Sequence, residues 1–143
     1  MPSLRLPAAS NAAMLPVVLL LLAAGALPSC GSMERNKQTS ALADSTNAYR
    51  EALRWGYWQA AAELLHPEAQ QDLDLASLQN VRVTGIELVR PAAITPQNRV
   101  IRLVQIQYVL EDEQRVKQIM DRQDWRWDDA RKGWVLHSGL PDF

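Results

Sequence analysis

The spacing of apolar residues changes from helical to strand-like at Val81, and this change constrains the fold more than any other feature of the sequence. Before it, apolar residues between positions 41 and 55 recur every three or four residues, the pattern of an amphipathic helix. After it they alternate with polar ones, as in Val81-Arg82-Val83, which is typical of a half-buried strand. Helices followed by strands in hairpin order predict an α+β domain, with N-terminal helices packed on a curved antiparallel sheet of about four strands.

The helical half of the chain has clear stop signals. Ser40 is a candidate N-cap for the first helix, and Gly56 ends it because glycine adopts the left-handed cap conformation without steric cost. A second helix contains Trp58 and ends before Pro67, since the residue preceding a proline avoids the α region. The segment between Pro67 and Asn80 is compatible with a short third helix or a loop.

The part of the chain after Val81 is predicted to form several strands separated by turns. Gly85 shifts the phase of the first strand, which predicts a β-bulge. Residues 91–98 form a connection with two prolines. A long second strand follows, and Arg102 shares its apolar face, at an end that we expect to be exposed. Two further strands are predicted at 116–127 and 134–138, joined by the polar turn 128–133.

The first 29 residues have the composition of a secretory signal. Their only charged residue is Arg5, and the apolar run from Ala12 to Leu27 is 16 residues long and contains Pro16 and Gly25. A membrane-spanning helix needs about 20 apolar residues. A basic start, a short apolar centre and small residues before a cleavage site predict a signal peptide over residues 1–29 rather than a transmembrane anchor or a core helix.

The single cysteine follows this segment directly. Leu27-Pro28-Ser29-Cys30 resembles the lipobox of bacterial lipoproteins, although Pro28 departs from the usual Ala, Ser or Thr. In that family the cysteine sulfur is diacylglycerylated, the signal is cut before it, and the new amine is acylated. The alternative is an unmodified cysteine in an ordinary exported protein.

The lipobox resemblance implies where the protein resides. Several acyl chains on Cys30 would anchor it durably in a lipid bilayer, at roughly 0.8 kcal/mol per buried CH₂. Gly31-Ser32 lack the Asp that retains such lipoproteins in the inner membrane, so the periplasmic leaflet of the outer membrane is favoured. Residues 30–39 are polar and predict a flexible tether, which leaves residues 40–143 as a single domain.

The order of elements resembles the NTF2-like (SnoaL-like, cystatin-type α+β) superfamily, whose sheet wraps an N-terminal helix to form a cone. The resemblance rests on the helix, glycine break and second helix of residues 48–65, on Trp125-Arg-Trp127, and on Gly133-Trp-Val-Leu. A helix-plus-hairpin fold, like that of small outer-membrane assembly-factor lipoproteins, is the alternative architecture.

No motif in the sequence specifies a reaction, a metal or a cofactor. His66 and His137 fall on different elements without a third ligand at metal-binding spacing. There is no phosphate-binding loop or G-x-S-x-G motif. We interpret the acidic pair Asp128-Asp129 as part of a solvent-exposed turn rather than as an acid–base pair. A formal charge of −1 argues against nucleic acid as a partner, because phosphate binding needs excess cations.

The aromatic residues are the remaining candidates for a binding site. Tryptophan spacing matches the predicted core faces, so Trp55, Trp58, Trp125 and Trp127 are predicted to fill the contact between helices and sheet. In particular, Trp127 is predicted to be buried against the first helix, because it shares a strand face with Trp125 and precedes the turn before Trp134. The alternative is a pocket or partner surface, with Tyr49, Tyr108, Asp121 and His137 projecting polar groups into a cone. The candidate pocket or partner surface comprises Trp55, Trp58, Tyr108, Trp125, Trp127 and Trp134.

Three functions are compatible with these observations. The favoured one is a non-enzymatic envelope lipoprotein that binds a protein partner or contributes to outer-membrane upkeep. The others are a periplasmic small-molecule binder and an enzyme of the isomerase or dehydratase type. The binder needs a cavity, since pockets for drug-sized ligands measure roughly 300–1,000 Å³. The enzyme needs a buried acid or histidine with a perturbed pKa.

Overall fold

The computed structural model describes residues 30–71 and 73–143. Residues 34–143 form a compact unit. The predicted signal peptide, residues 1–29, lies outside the described residues, as does the side chain of Cys30. Among the helices described, none is both long enough and apolar enough to cross a membrane.

The helices follow one another over residues 30–70. Helix α1 spans Cys30–Trp55, α2 spans Trp58–Glu63 and α3 spans Pro67–Gln70, and a 3₁₀ turn covers Ser77–Asn80. As predicted, Gly56 follows α1 with a φ of 69°. His66 caps α3, and its side chain accepts a hydrogen bond from the Glu68 backbone nitrogen.

Helix α1 extends further towards the N-terminus than predicted, since it includes Cys30 whereas the expected N-cap is Ser40. The prediction of a flexible tether over residues 30–39 is therefore wrong in secondary structure, because these residues are helical. Met, Glu, Arg, Lys and Gln in this segment are good helix formers. Extending an existing helix also avoids the cost of nucleating a new one, so no apolar stripe is required there.

Four strands form one antiparallel sheet in the order β1-β2-β3-β4. They span Val81–Arg90, Arg99–Leu110, Val116–Asp128 and Gly133–Leu136. The predicted α+β architecture with a four-stranded antiparallel sheet is confirmed.

The bulge predicted at Gly85 is present. The register shifts between Val83, opposite Tyr108, and Gly85, opposite Gln107. A Cβ atom on Gly85 would lie 3.2 Å from the Gln107 side-chain oxygen, so the close approach of the two strands favours glycine. A second register shift, between Leu88 and Arg90, was not predicted. Bulges bend a strand and increase its local twist.

The core lies between α1, α2 and one face of the sheet, which we call the inner face. Its buried members on β2 are Val100, Val104, Ile106 and Tyr108, as the period of two predicts. Tyr49 and Leu53 of α1 are each 1% exposed. This arrangement places the middle of α1 across the centre of the sheet.

Two tryptophans differ from the core prediction. Trp55 is 63% exposed, because at 100° per residue it lies about 120° around the helix from the buried Tyr49. Trp127 was predicted to be buried against α1, but it is only half-buried and packs at the edge of the core. Its ring meets Trp134 edge to face, with 5.8 Å between centroids.

Candidate functional site

A cavity of about 90 Å³ lies between α1 and the inner face of the sheet; we call it the α1 cavity. The helix and three strands supply its walls in nearly equal parts, with polar and apolar groups mixed. Its lining residues are Thr46, Asn47, Tyr49, Arg50 and Leu53 from α1, and Ile86, Leu88, Arg102, Val104 and Gln123 from the sheet.

Tyr49 lines this cavity, and its hydroxyl is buried without a hydrogen-bond partner among the described residues. Burial raises the pKa of Tyr49 well above its usual value, and the nearby carboxyl of Asp121 acts in the same direction. The phenol is therefore protonated at neutral pH and has a proton to donate. A buried polar group left unpaired is costly and uncommon in native structures. We therefore expect the Tyr49 hydroxyl to donate a hydrogen bond to a bound molecule.

Three polar residues of β3 form a short hydrogen-bonded chain beside the cavity. The side-chain nitrogen of Gln123 donates to an Asp121 carboxylate oxygen over 2.8 Å. The Gln123 oxygen accepts from the indole nitrogen of Trp125 over 3.1 Å. The three residues are spaced by two along a strand and so share the inner face. This chain fixes the Gln123 amide, whose nitrogen and oxygen each have one protein partner.

Asp121 is a partly buried acid on the inner face. It lies opposite Val104 in the β2–β3 register. Burial raises the pKa of Asp121, against the hydrogen bond from Gln123, which lowers it. Gln123 is among the residues that line the cavity, and Asp121 is not.

Two guanidinium groups complete the lining. Arg102 lies opposite Gln123 on the inner face, and its side chain has no hydrogen bond or ion pair with any residue of 30–71 or 73–143. Burial lowers the pKa of Arg102, and the positive charge of Arg50 lowers it further. The half-exposed Arg50 side chain has Glu51 as a neighbour at 3.6 Å. The cavity thus combines a neutral donor with excess positive charge.

The six aromatic residues predicted to form a pocket or partner surface do not line the α1 cavity. Trp125 packs edge to face on Tyr49 at 5.6 Å. Trp58 and Tyr108 both contact Phe143, at 5.6 and 5.1 Å. Trp134 is 2% exposed. Four of the six therefore fill the core, Trp127 lies at its edge, and Trp55 is on the surface.

The cavity residues were only partly anticipated. Tyr49 and Asp121 were named as polar groups of a possible cone, and the structure brings them together. Tyr108 and His137, named with them, do not line the α1 cavity. The sequence predicts that Arg102 shares the apolar face of β2, at an exposed end. Its position in phase with buried valines was the one signal that could have indicated a charged group inside a site.

The structure also brings His66 and His137 together. Their rings stack with centroids 4.3 Å apart and an angle of 21° between the planes. Among the residues described, no three His, Cys, Asp or Glu side chains form a group suited to a metal ion. Asp128 is the last residue of β3, and its carboxylate accepts hydrogen bonds from the backbone nitrogens of Ala130 and Arg131 in the turn that follows.

The chain matches no protein-family model, no curated protein and no solved structure.

Proposed function

We propose that this chain is a lipoprotein of the bacterial cell envelope, anchored in a bilayer by acyl chains on Cys30, and that its domain is a non-enzymatic binding module. The single observation that carries the anchoring is the sequence Leu27-Pro28-Ser29-Cys30, in which the only cysteine of the chain directly follows a signal-like segment. With Gly31-Ser32 after the cysteine, the periplasmic face of the outer membrane is the proposed location.

We further propose that the domain is an NTF2-like cone. In support, one long helix lies across the inner face of a single antiparallel sheet with strands in sequential order. The two register shifts in β1 would bend the sheet towards that helix, since bulges re-aim a strand.

The anchoring is tested by labelling cells with an alkyne fatty acid. The wild-type chain should incorporate label, and Cys30→Ser should accumulate as an unlabelled, uncut precursor. The matched control is Cys30→Ser combined with Ser40→Cys, which restores a thiol at an exposed position outside the motif and should stay unlabelled. Label at the wild-type level in Cys30→Ser would refute the proposal.

A partner surface is supported at the C-terminal end of α1. Trp55 and Tyr57 are each 63% exposed, and large aromatic side chains dominate protein–protein contacts. Beside Trp55 lies an open groove of about 430 Å³ with Arg82 and Glu111 in its lining. An aromatic ring next to charges of both signs suits a protein partner better than a lipid surface.

This surface is tested by site-specific photo-crosslinking in intact envelopes. A photoreactive amino acid at position 57 should give one discrete adduct, which Trp55→Ala should abolish. Val116→Ala, which alters a residue 72% exposed on β3, should leave the adduct unchanged. An adduct insensitive to Trp55→Ala, or none at all, would count against this surface.

The α1 cavity favours a second candidate, a small-molecule-binding or isomerase-like domain. At about 90 Å³ it is well below the roughly 300–1,000 Å³ of pockets for drug-sized ligands. A carboxyl with a raised pKa beside a phenol is the type of pair that acid–base catalysis uses. If ¹³C NMR finds that Asp121 titrates at the ordinary aspartate value, about 3.9, the enzymatic version is excluded.

A further inference from the structure

The donor and charge pattern of the α1 cavity selects one kind of ligand. Tyr49 offers a buried hydroxyl that no described residue accepts from. Inside a protein, an unpaired polar group loses its hydrogen bonds to water and gains none in return. A ligand atom that accepts this hydrogen bond would remove that cost.

The charge of the lining points to an anionic acceptor. Arg102 is half-buried and makes no ion pair within the described part of the chain, and the nearby Arg50 adds a second positive charge that disfavours the protonated form of Arg102. Two neighbouring guanidinium groups without a shared anion repel each other. A carboxylate placed between them would replace that repulsion with charge-assisted hydrogen bonds.

The size and the apolar part of the lining limit the rest of the ligand. Leu53 and Val104 face the cavity together with Ile86, so an uncharged hydrocarbon segment can be buried beside the charged group. A volume of about 90 Å³ corresponds to about three water molecules. Such a space admits a monocarboxylate of roughly two to four carbon atoms.

We infer that the α1 cavity binds a short-chain monocarboxylate, whose carboxylate is held by Arg102 and Arg50 and accepts a hydrogen bond from the Tyr49 hydroxyl. This inference rests on the proposed role of the domain as a binding module and names the class of its ligand. Gln123, which also lines the cavity, is held in place by its hydrogen bonds with Asp121 and Trp125.

The test uses the full lipidated chain in detergent, labelled with 3-fluorotyrosine, and propionate as the probe. The chain has three tyrosines, so three ¹⁹F resonances are expected, and Tyr49→Phe identifies the one from the cavity. Propionate should shift the Tyr49 resonance in a saturable manner while the exposed Tyr57 stays unchanged. Absence of a saturable shift would overturn the inference.

Two further probes establish the chemistry. Propionamide has the same shape without the charge and should bind at least tenfold more weakly, since the loss of a charge-assisted contact is expected to cost about that much. Equal binding of propionamide would overturn the anionic assignment. Inorganic phosphate binding at least as tightly as propionate would overturn the carboxylate assignment.

Variants separate a binding role from a structural one. Arg102→Gln should weaken propionate binding about tenfold or more, yet raise the unfolding temperature of the unliganded protein, because it removes an unpaired, half-buried charge. A lowered unfolding temperature together with unchanged binding would mean that Arg102 is structural and would contradict the inference. Arg122→Gln, at an exposed position of β3, is the matched control and should bind propionate like the wild type.

Tyr49→Phe should weaken binding about two- to tenfold, followed through the rise in unfolding temperature that saturating propionate causes. These outcomes are independent of lipidation. Loss of propionate binding in a chain that still incorporates fatty acid at Cys30 would reject the ligand and leave the proposed lipoprotein intact.

Discussion

The indole nitrogen of Trp134 donates a hydrogen bond to the backbone oxygen of Gln38 over 2.8 Å. This bond joins β4, the last strand, to residues 30–39 of α1, the segment that the sequence predicts to be a flexible tether. Trp134 is 2% exposed, so the bond is shielded from water. The early turns of α1 that contain Gln38 are therefore attached to the domain.

Trp134→Phe tests this attachment, because phenylalanine keeps most of the apolar area and removes the donor. The loss of one shielded hydrogen bond should lower the free energy of unfolding by about 1–2 kcal/mol. Urea unfolding of both proteins measures the difference from the shift in midpoint. Trp55→Phe is the matched control, since its indole bonds to the exposed Glu51, and should change stability by less than about 0.5 kcal/mol. Equal losses in the two variants would contradict the structural role of Trp134.

The two tryptophans of β3 should differ in their contribution to stability. Trp125 is fully buried and packs on Tyr49, so Trp125→Ala should cost about 3–5 kcal/mol, a large part of the 5–15 kcal/mol typical of a domain. Trp127 is half-buried, and Trp127→Ala should cost about 1–2 kcal/mol, in proportion to the smaller area withdrawn from water.

Urea unfolding also measures the loss of stability in Trp125→Ala and Trp127→Ala. The sequence predicts that Trp127 is buried, because it is in phase with Trp125 and precedes the turn before Trp134. A loss for Trp127→Ala as large as that for Trp125→Ala would support that prediction. Should Trp125→Ala fail to fold, Trp125→Phe gives the smaller and measurable loss.

Local signals in the sequence were sufficient to predict the helices, the strands and several of their boundaries. The boundary at Val81, the helix stop at Gly56 and the bulge at Gly85 all depend on a few neighbouring residues, and each is found in the structure. The inner face of β2 also follows from its period of two.

Contacts between residues far apart in the chain could not be predicted, because no local pattern in the sequence indicates them. Gln38 and Trp134 are 96 positions apart, and nothing near Gln38 indicates that its carbonyl is bonded. The stacking of His66 on His137 likewise depends on how the segment after α2 meets the end of β4. Arg102 could be placed on the inner face by its phase, but the space that makes it a site depends on the packing of α1.

The pH dependence of stability should depend on Asp124 at low pH. Arg99 contributes two hydrogen bonds of 2.7 Å to its carboxylate, and Arg126 contributes another of 2.8 Å. These partners, Arg99 first, hold the pKa of Asp124 well below its usual range, against its burial. The unfolded chain, with an aspartate pKa of about 3.9, therefore binds the proton first as the pH falls. The stability that Asp124 contributes is present above about pH 4 and is lost below it.

Asp124→Asn should accordingly lower the free energy of unfolding by about 1.5–3 kcal/mol at pH 7. The gap between variant and wild type should narrow as the pH falls from 4 towards 2, as followed by urea unfolding at each pH. Asp129→Asn, at a carboxylate 86% exposed, is the control and should have little effect. A gap that stays constant over this range would show that the charge of Asp124 is not the stabilising feature.

A second pH effect should occur nearer neutrality and depend on His137. Burial lowers the pKa of His137, and the charges of Arg126 and His66 lower it further, while Asp124 and Glu68 act in the opposite direction. The folded protein thus disfavours the imidazolium relative to the unfolded chain, whose histidine pKa is about 6.5. Stability is complete above that value and decreases as the pH falls through it.

His137→Gln should therefore flatten the decline in unfolding free energy between pH 7.5 and 5.5. His66→Gln should retain most of that decline, because the burial of His137 and the charge of Arg126 persist when the stacked ring is removed. Guanidinium chloride unfolding at 0.5 pH intervals measures the slope, and high salt suppresses the surface charge effects that would otherwise contribute. A His137→Gln variant with the wild-type slope would assign the decline to another group and contradict the prediction.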